Sequence, residues 1–137
     1  MHDSNTVSIK DLEVGDRVAG LLVAEMYLEQ QAWSALHFSV TFSGRLTLSG
    51  DYHFFMSNYD DSPVVNFVLD AASRQKVPHI AEDSRGETSY FYLAPHAAFG
   101  PIGSQGTATV VIDQLKLPHR ERGEANSARL VRLVQKR

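Results

Sequence analysis

The chain contains no cysteine in 137 residues. That absence excludes disulfide scaffolds, thiolate zinc sites, iron–sulfur clusters and cysteine nucleophiles. Proline is scarce, with five residues, so each one marks a place where a regular element has to stop. No apolar stretch approaches the length needed to cross a bilayer, and no membrane partner is expected. The opening Met1-His2-Asp3-Ser4-Asn5-Thr6 is polar and lacks the basic-then-apolar layout of a signal peptide. A cytoplasmic protein is the simplest expectation. Hydrophobic residues make up 43% and charged residues 21%, which excludes a disordered chain. A chain of this length buries roughly two-thirds of its unfolded surface, enough for one real core.

Positive charge is missing from most of the chain. Residues 1–115 carry six Lys/Arg against fourteen Asp/Glu, a balance of −8. Residues 116–137 reverse this to +5, through Lys116, Arg120, Arg122, Arg129, Arg132, Lys136 and Arg137 against Glu121 and Glu124. Such asymmetry fits a basic end that meets an acidic partner, or one that neutralises the acidic body of its own domain. Repeats, low-complexity tracts and Pro/Gly/Ser-rich linkers are absent. Residues 7–134 are therefore expected to form one β-rich domain, with flexible ends at 1–6 and 135–137.

What the sequence does have is alternation of period two. In Leu36-His37-Phe38-Ser39-Val40-Thr41-Phe42 the even positions are apolar and the odd positions polar. The pattern describes a strand with one buried face. The same parity continues through Leu46, Leu48, Tyr52, Phe54 and Met56. Gly44 reads as a bulge in one long bent strand or as part of a tight turn. Ser49-Gly50-Asp51 reads as the better hairpin turn, because glycine reaches positive φ cheaply. Further strands are predicted over Arg17–Val23, Val64–Asp70, Thr88–Leu93 and Thr107–Leu115. Residues 24–35 read as strand running into a turn or short helix. Residues 126–135 read as a strand pairing with 107–117 across the polar loop 118–127, with a capped helix as the alternative.

Seven or so short strands with frequent turns predict a mainly β, single-domain antiparallel barrel or sandwich with at most one or two short helices. The run Ile9-Lys10-Asp11-Leu12-Glu13-Val14-Gly15-Asp16-Arg17-Val18 looks like the lead into a first barrel strand. Over these ten residues the chain resembles the start of some OB-type nucleic-acid-binding domains, which makes an OB-like barrel the first expectation. Similar runs also introduce unrelated β domains.

Four constellations carry candidate chemistry. Three of the five prolines precede histidine, in Pro78-His79, Pro95-His96 and Pro118-His119. Three imidazoles on rigid loops at one barrel end would hold a zinc or iron ion, with Glu82 or Asp83 adding a carboxylate. The plain alternative is that proline merely placed each histidine in a loop. The glycine-rich Phe99–Gly106 would offer amides to an anion, yet it lacks P-loop and dinucleotide spacing and reads as a connector. Tyr90 and Tyr92 share one face of a strand, with Phe91 on the other. On an exposed sheet they would stack bases, while Arg120, Arg122, Arg129 and Arg132 follow a phosphate backbone. Arg129 and Arg132 fall on opposite faces of a regular strand, so their joint use depends on local geometry. The alternative is that the tyrosines cap the core. Asp51, Asp60 and Asp61 cluster in sequence around His53 and Tyr59, where turn aspartates mostly bond their own backbone. The lone Trp33 reads as a core or edge anchor.

No complete catalytic or cofactor motif is present, so no cofactor is expected. The function expected first is a small soluble, non-catalytic binding or interaction module with a protein or ligand partner. The alternatives are a single-stranded nucleic-acid binder and a metal-dependent enzyme using His79, His96 and His119.

Overall fold

A computed structural model describes residues 5–29, 37–58, 60–83, 87–118 and 125–137. The strands in chain order are β1 (Thr6–Val7), β2 (Arg17–Val18), β3 (Leu21–Glu29), β4 (His37–Ser43), β5 (Leu46–Met56), β6 (Pro63–Leu69), β7 (His79–Ile80), β8 (Tyr90–Ala94), β9 (Gln105–Pro118) and β10 (Ser127–Lys136). Among the described residues one four-residue helix, α1 (Ala71–Arg74), and one 3₁₀ turn over Ala97–Phe99 interrupt them. The protein is mainly β. Among the described residues no helix is long and apolar enough to cross a membrane.

Eight strands form one sheet in the order β10-β8-β6-β5-β9-β4-β3-β2, and β10 also bonds β9. That extra pairing closes a ring of hydrogen bonds through β5, β6, β8, β10 and β9. All pairings in the ring are antiparallel except β8 with β10, which is parallel. β4, β3 and β2 continue the sheet from the far half of β9. A separate two-stranded parallel pair joins β1 to β7.

The core follows the predicted parity as far as Phe54, whereas Met56 is exposed. Phe38, Val40, Phe42, Leu48, Tyr52 and Phe54 are all buried. They meet Val65, Phe67 and Leu69 of β6 and Phe91 and Leu93 of β8 in one cluster. Gly44, at φ 116°, lies between β4 and β5, which both pair with β9. Phe42 opposes Leu115 while Leu46 opposes Ile112, so this side carries one more residue than β9. The bulge reading of Gly44 is therefore the one observed. On β9 the kink falls at Gln114, whose φ is 51°. Inward-facing residues are even up to Ile112 and odd from Leu115 onward.

Several expectations need correction. Ser49-Gly50-Asp51 is not a turn, because β5 runs unbroken from Leu46 to Met56. Gly50 serves close approach: a Cβ there would lie 2.0 Å from the Val68 carbonyl oxygen. Arg17–Val23 is not one strand. Ala19 and Gly20, at φ 55° and 79°, turn the chain into a hairpin between β2 and β3. The Ile9–Asp16 segment leads through turns into β2 and β3, which lie outside the ring, and it buries Ile9 and Leu12 against the core. Residues 135–137 are held in the ladder: Gln135 opposes Thr109, and Arg137 exchanges both backbone hydrogen bonds with Thr107. The strand expected over 126–135, pairing with 107–117, is by contrast observed as β10. Trp33, Tyr59 and the second half of the ambiguous 24–35 segment lie outside the described residues.

Candidate functional site

β6 and β8 lie side by side in the middle of the ring. Tyr90 stands opposite Val68 and Tyr92 opposite Asn66, so these four side chains point to the same side, away from the core. The two tyrosine rings are 6.2 Å apart, centre to centre. Phe91 points inward between them, is fully buried, and stacks on Phe67 at 5.6 Å. The expected split of the aromatic run is thus present, and both tyrosines are half-buried.

Asn126 fixes this surface and Asn66 lies within it; neither stands out in the sequence. Asn126 is 1% exposed at the start of β10. Its Nδ2 donates to the Tyr90 carbonyl at 3.0 Å, and its own carbonyl accepts from the Tyr92 amide at 2.9 Å. It ties β8 to β10 at both tyrosine positions. Asn66 lies between His53 on β5 and Tyr92 on β8 in one cross-strand row. Its Oδ1 is buried and has no hydrogen-bond partner among the described residues.

β10 brings the basic residues alongside. Ser127 opposes both Tyr92 and Lys116. Arg129 opposes Asp113 and Arg132 opposes Val111, with a register shift between Leu130 and Arg132. In a regular strand Arg129 and Arg132 would face opposite sides. The shift puts both outward, while Leu130 and Leu133 pack on the core. Arg129 makes a two-pronged contact with Asp113, Nε to Oδ1 at 2.7 Å and Nη2 to Oδ2 at 2.5 Å. The hydrogen bonds from Arg129, aided by the charges of Arg129 and Arg45, hold the Asp113 carboxyl below its ordinary range. Arg129 is raised in return by the same carboxylate.

A groove of about 390 Å³ follows the seam between β8 and β10. Val64, Tyr92, His96, Gln114, Ala128 and Arg129 are in its walls. A second groove of about 370 Å³ lies across β5, β6 and β9, with Asp51, His53, Asn66 and Gln105 among its residues. The tyrosine-bearing strand therefore runs along the first groove, and Asn66 lines the second. Comparison with known proteins finds no matching family model, no matching curated protein and no matching solved structure.

Of the three Pro-His histidines, His79 and His96 are among the described residues. His79 is buried, its Nε2 lies 2.9 Å from the Arg74 carbonyl, and its Nδ1 accepts from the Thr88 amide at 2.9 Å. Both ring nitrogens hold backbone, which leaves no lone pair for a metal. His96 is exposed, its ring 4.9 Å from that of Phe54. His119 lies outside the described residues, as do Arg120 and Arg122. Among the described residues no group of three or more His, Asp or Glu side chains is placed to hold a metal. Glu82 accepts from the Ser8 hydroxyl at 2.5 Å and the Ile9 amide at 2.8 Å, so it anchors the N-terminal segment.

The glycine-rich loop is a connector. The Gly103 amide donates to the Phe54 carbonyl, and the Phe54 amide donates to the Ser104 carbonyl. Asp60 accepts from the Ser62 hydroxyl and amide, and Asp70 caps α1 through the Ser73 amide. These aspartates bond their own turns.

Proposed function

We propose that the protein is a non-catalytic binding module that takes a single-stranded nucleic acid across the outer surface of β6, β8 and β10. The observation that carries this reading is the shared surface itself. Tyr90 and Tyr92 offer two aromatic faces, and the neighbouring strand turns Arg129 and Arg132 to the same side. Stacking on aromatic rings holds unpaired bases of any sequence, and arginines alongside follow the phosphates.

The strand order adds support. Counted along the chain, the five ring strands β5, β6, β8, β9 and β10 close in the order first-second-third-fifth-fourth, with the third and fifth parallel. This is the order expected of a closed OB-type barrel, and we read the ring as one. Such barrels bind oligonucleotides and oligosaccharides on their second and third strands. Here those strands are β6 and β8. The charge pattern limits the reading in a useful way. The chain as a whole is −3, so attraction to phosphate must be local and modest.

Fluorescence anisotropy with a labelled single-stranded oligonucleotide of about ten residues tests the proposal. Binding that weakens with added salt, and that Tyr90→Ala and Tyr92→Ala each reduce about tenfold, is expected. A flat signal at low salt refutes the nucleic-acid ligand.

A further inference from the structure

Among the described residues three non-glycine residues have positive φ: Ala19, Asp61 and Gln114. The first two are in connections between strands. Gln114 is inside β9, at the kink where the ladder passes from β5 to β4. The left-handed conformation favours glycine, and a long unbranched side chain is disfavoured there. The kink itself needs only the backbone. Gln114 is exposed and stands in the wall of the groove at the β8–β10 seam.

The other groups in that wall narrow the occupant. Arg129 is the one formal charge among the residues named above for the groove, and Asp113 already holds it. What remains is a phenol, an imidazole, a carboxamide and apolar side chains such as Val64 and Ala128. Among them no uncommitted formal charge would balance that of a charged occupant. A flat, uncharged ring with hydrogen-bonding edges would. The volume, about 390 Å³, sits at the small end of ligand pockets. Beyond Arg129 on the same strand, Arg132 is exposed and would meet a phosphate.

We infer that the groove is a pocket for one unpaired nucleobase, with Tyr92 as its stacking wall and the Gln114 amide as the group that distinguishes one base from another. This rests on the nucleic-acid reading above and deepens it from general stacking to base selection. A carboxamide presents a donor and an acceptor side by side, which matches the adjacent donor and acceptor on a base edge.

Anisotropy titrations with oligo(dA), oligo(dC) and oligo(dT) of equal length, at two salt concentrations, test the pocket. The natural protein should prefer one base over the weakest by about fivefold or more. Gln114→Gly removes the amide and suits the left-handed backbone, so its circular dichroism should be unchanged. Its preference should fall below about twofold while its salt dependence stays as before. Gln114→Asn also tolerates positive φ and shortens the reach of the amide, and it should alter the preference too. Equal binding of the three oligomers by the natural protein, or a preference that survives in Gln114→Gly, overturns the pocket while leaving the stacking surface intact. Absence of binding to every oligomer overturns both.

Discussion

Arg129 on β10 grips Asp113 on β9 through two parallel hydrogen bonds, and this contact sets how much positive charge the tyrosine-bearing surface presents. The pair is on the outside of the ring, with the Arg129 side chain about half exposed. Water and salt screen it, so its main effect is on the charge offered to a ligand and not on stability. Asp113→Asn should release Arg129 to contact phosphate. The expected outcome is tighter oligonucleotide binding at low salt and a steeper loss with added salt, read by anisotropy. Unchanged affinity and slope would place Arg129 outside the ligand path.

Glu82 holds the N-terminal segment that buries Ile9 and Leu12 beneath the sheet. Burial opposes its ionisation, but the Ser8 hydroxyl, the Ile9 amide and the charge of Lys10 outweigh that and hold the carboxyl below its ordinary range. A carboxyl that ionises more easily folded than unfolded stabilises fully above its unfolded pKa. That contribution is lost as pH falls through the lower folded value. Glu82→Ala should cost about 1–2 kcal/mol in urea denaturation at neutral pH. The gap between the variant and the natural protein should close on acidification below the ordinary glutamate range. A gap that persists there would mean that packing, not the carboxylate, accounts for the loss.

The alternating run from Phe38 to Phe54 was legible because one buried face forces a parity that side chains cannot escape. The same rule revealed that Tyr90 and Tyr92 share a surface. Other features have no periodic signal. Gly50 looks like a turn residue in sequence, yet it is required by the approach of the Val68 carbonyl, a contact between distant strands. The hairpin at Ala19-Gly20 was hidden because alanine seldom takes positive φ. Arg129 and Arg132 are three apart, and only the ladder shift after Leu130 brings them to one side. Gln114 is invisible for a related reason, since its role begins with a backbone angle. The Pro-His dipeptides show the reverse case at one position. They stand out in the sequence, but the backbone claims both nitrogens of His79.

Gly50 offers the sharpest test of the ring. A methyl group at this position would meet the Val68 oxygen at 2.0 Å and its carbon at 2.9 Å, both backbone atoms. Neither can swing away as a side chain would. Gly50→Ala should therefore push β5 from β6 and destabilise by at least about 3 kcal/mol, measured by thermal and urea unfolding. Were Ser49-Gly50-Asp51 a surface turn instead, the same change would cost only about 1 kcal/mol.

The His79 imidazole joins α1, β7 and the approach to β8, since it bonds the Arg74 carbonyl and the Thr88 amide from one buried ring. Thr88 closes the same knot through its hydroxyl to the Pro78 carbonyl at 2.7 Å. His79→Phe keeps an aromatic ring but leaves a buried amide and a carbonyl without partners. A loss of about 2–4 kcal/mol is expected, because each abandoned group bears its own desolvation cost. His79→Gln retains one acceptor and one donor and should recover part of that loss. Zinc added to the natural protein should leave its melting temperature unchanged, since binding at His79 would require breaking the contact to Arg74 or Thr88. A zinc-dependent rise in Tm that His79→Gln abolishes would reverse this assignment and return the histidine to the ligand role its proline neighbour first suggested.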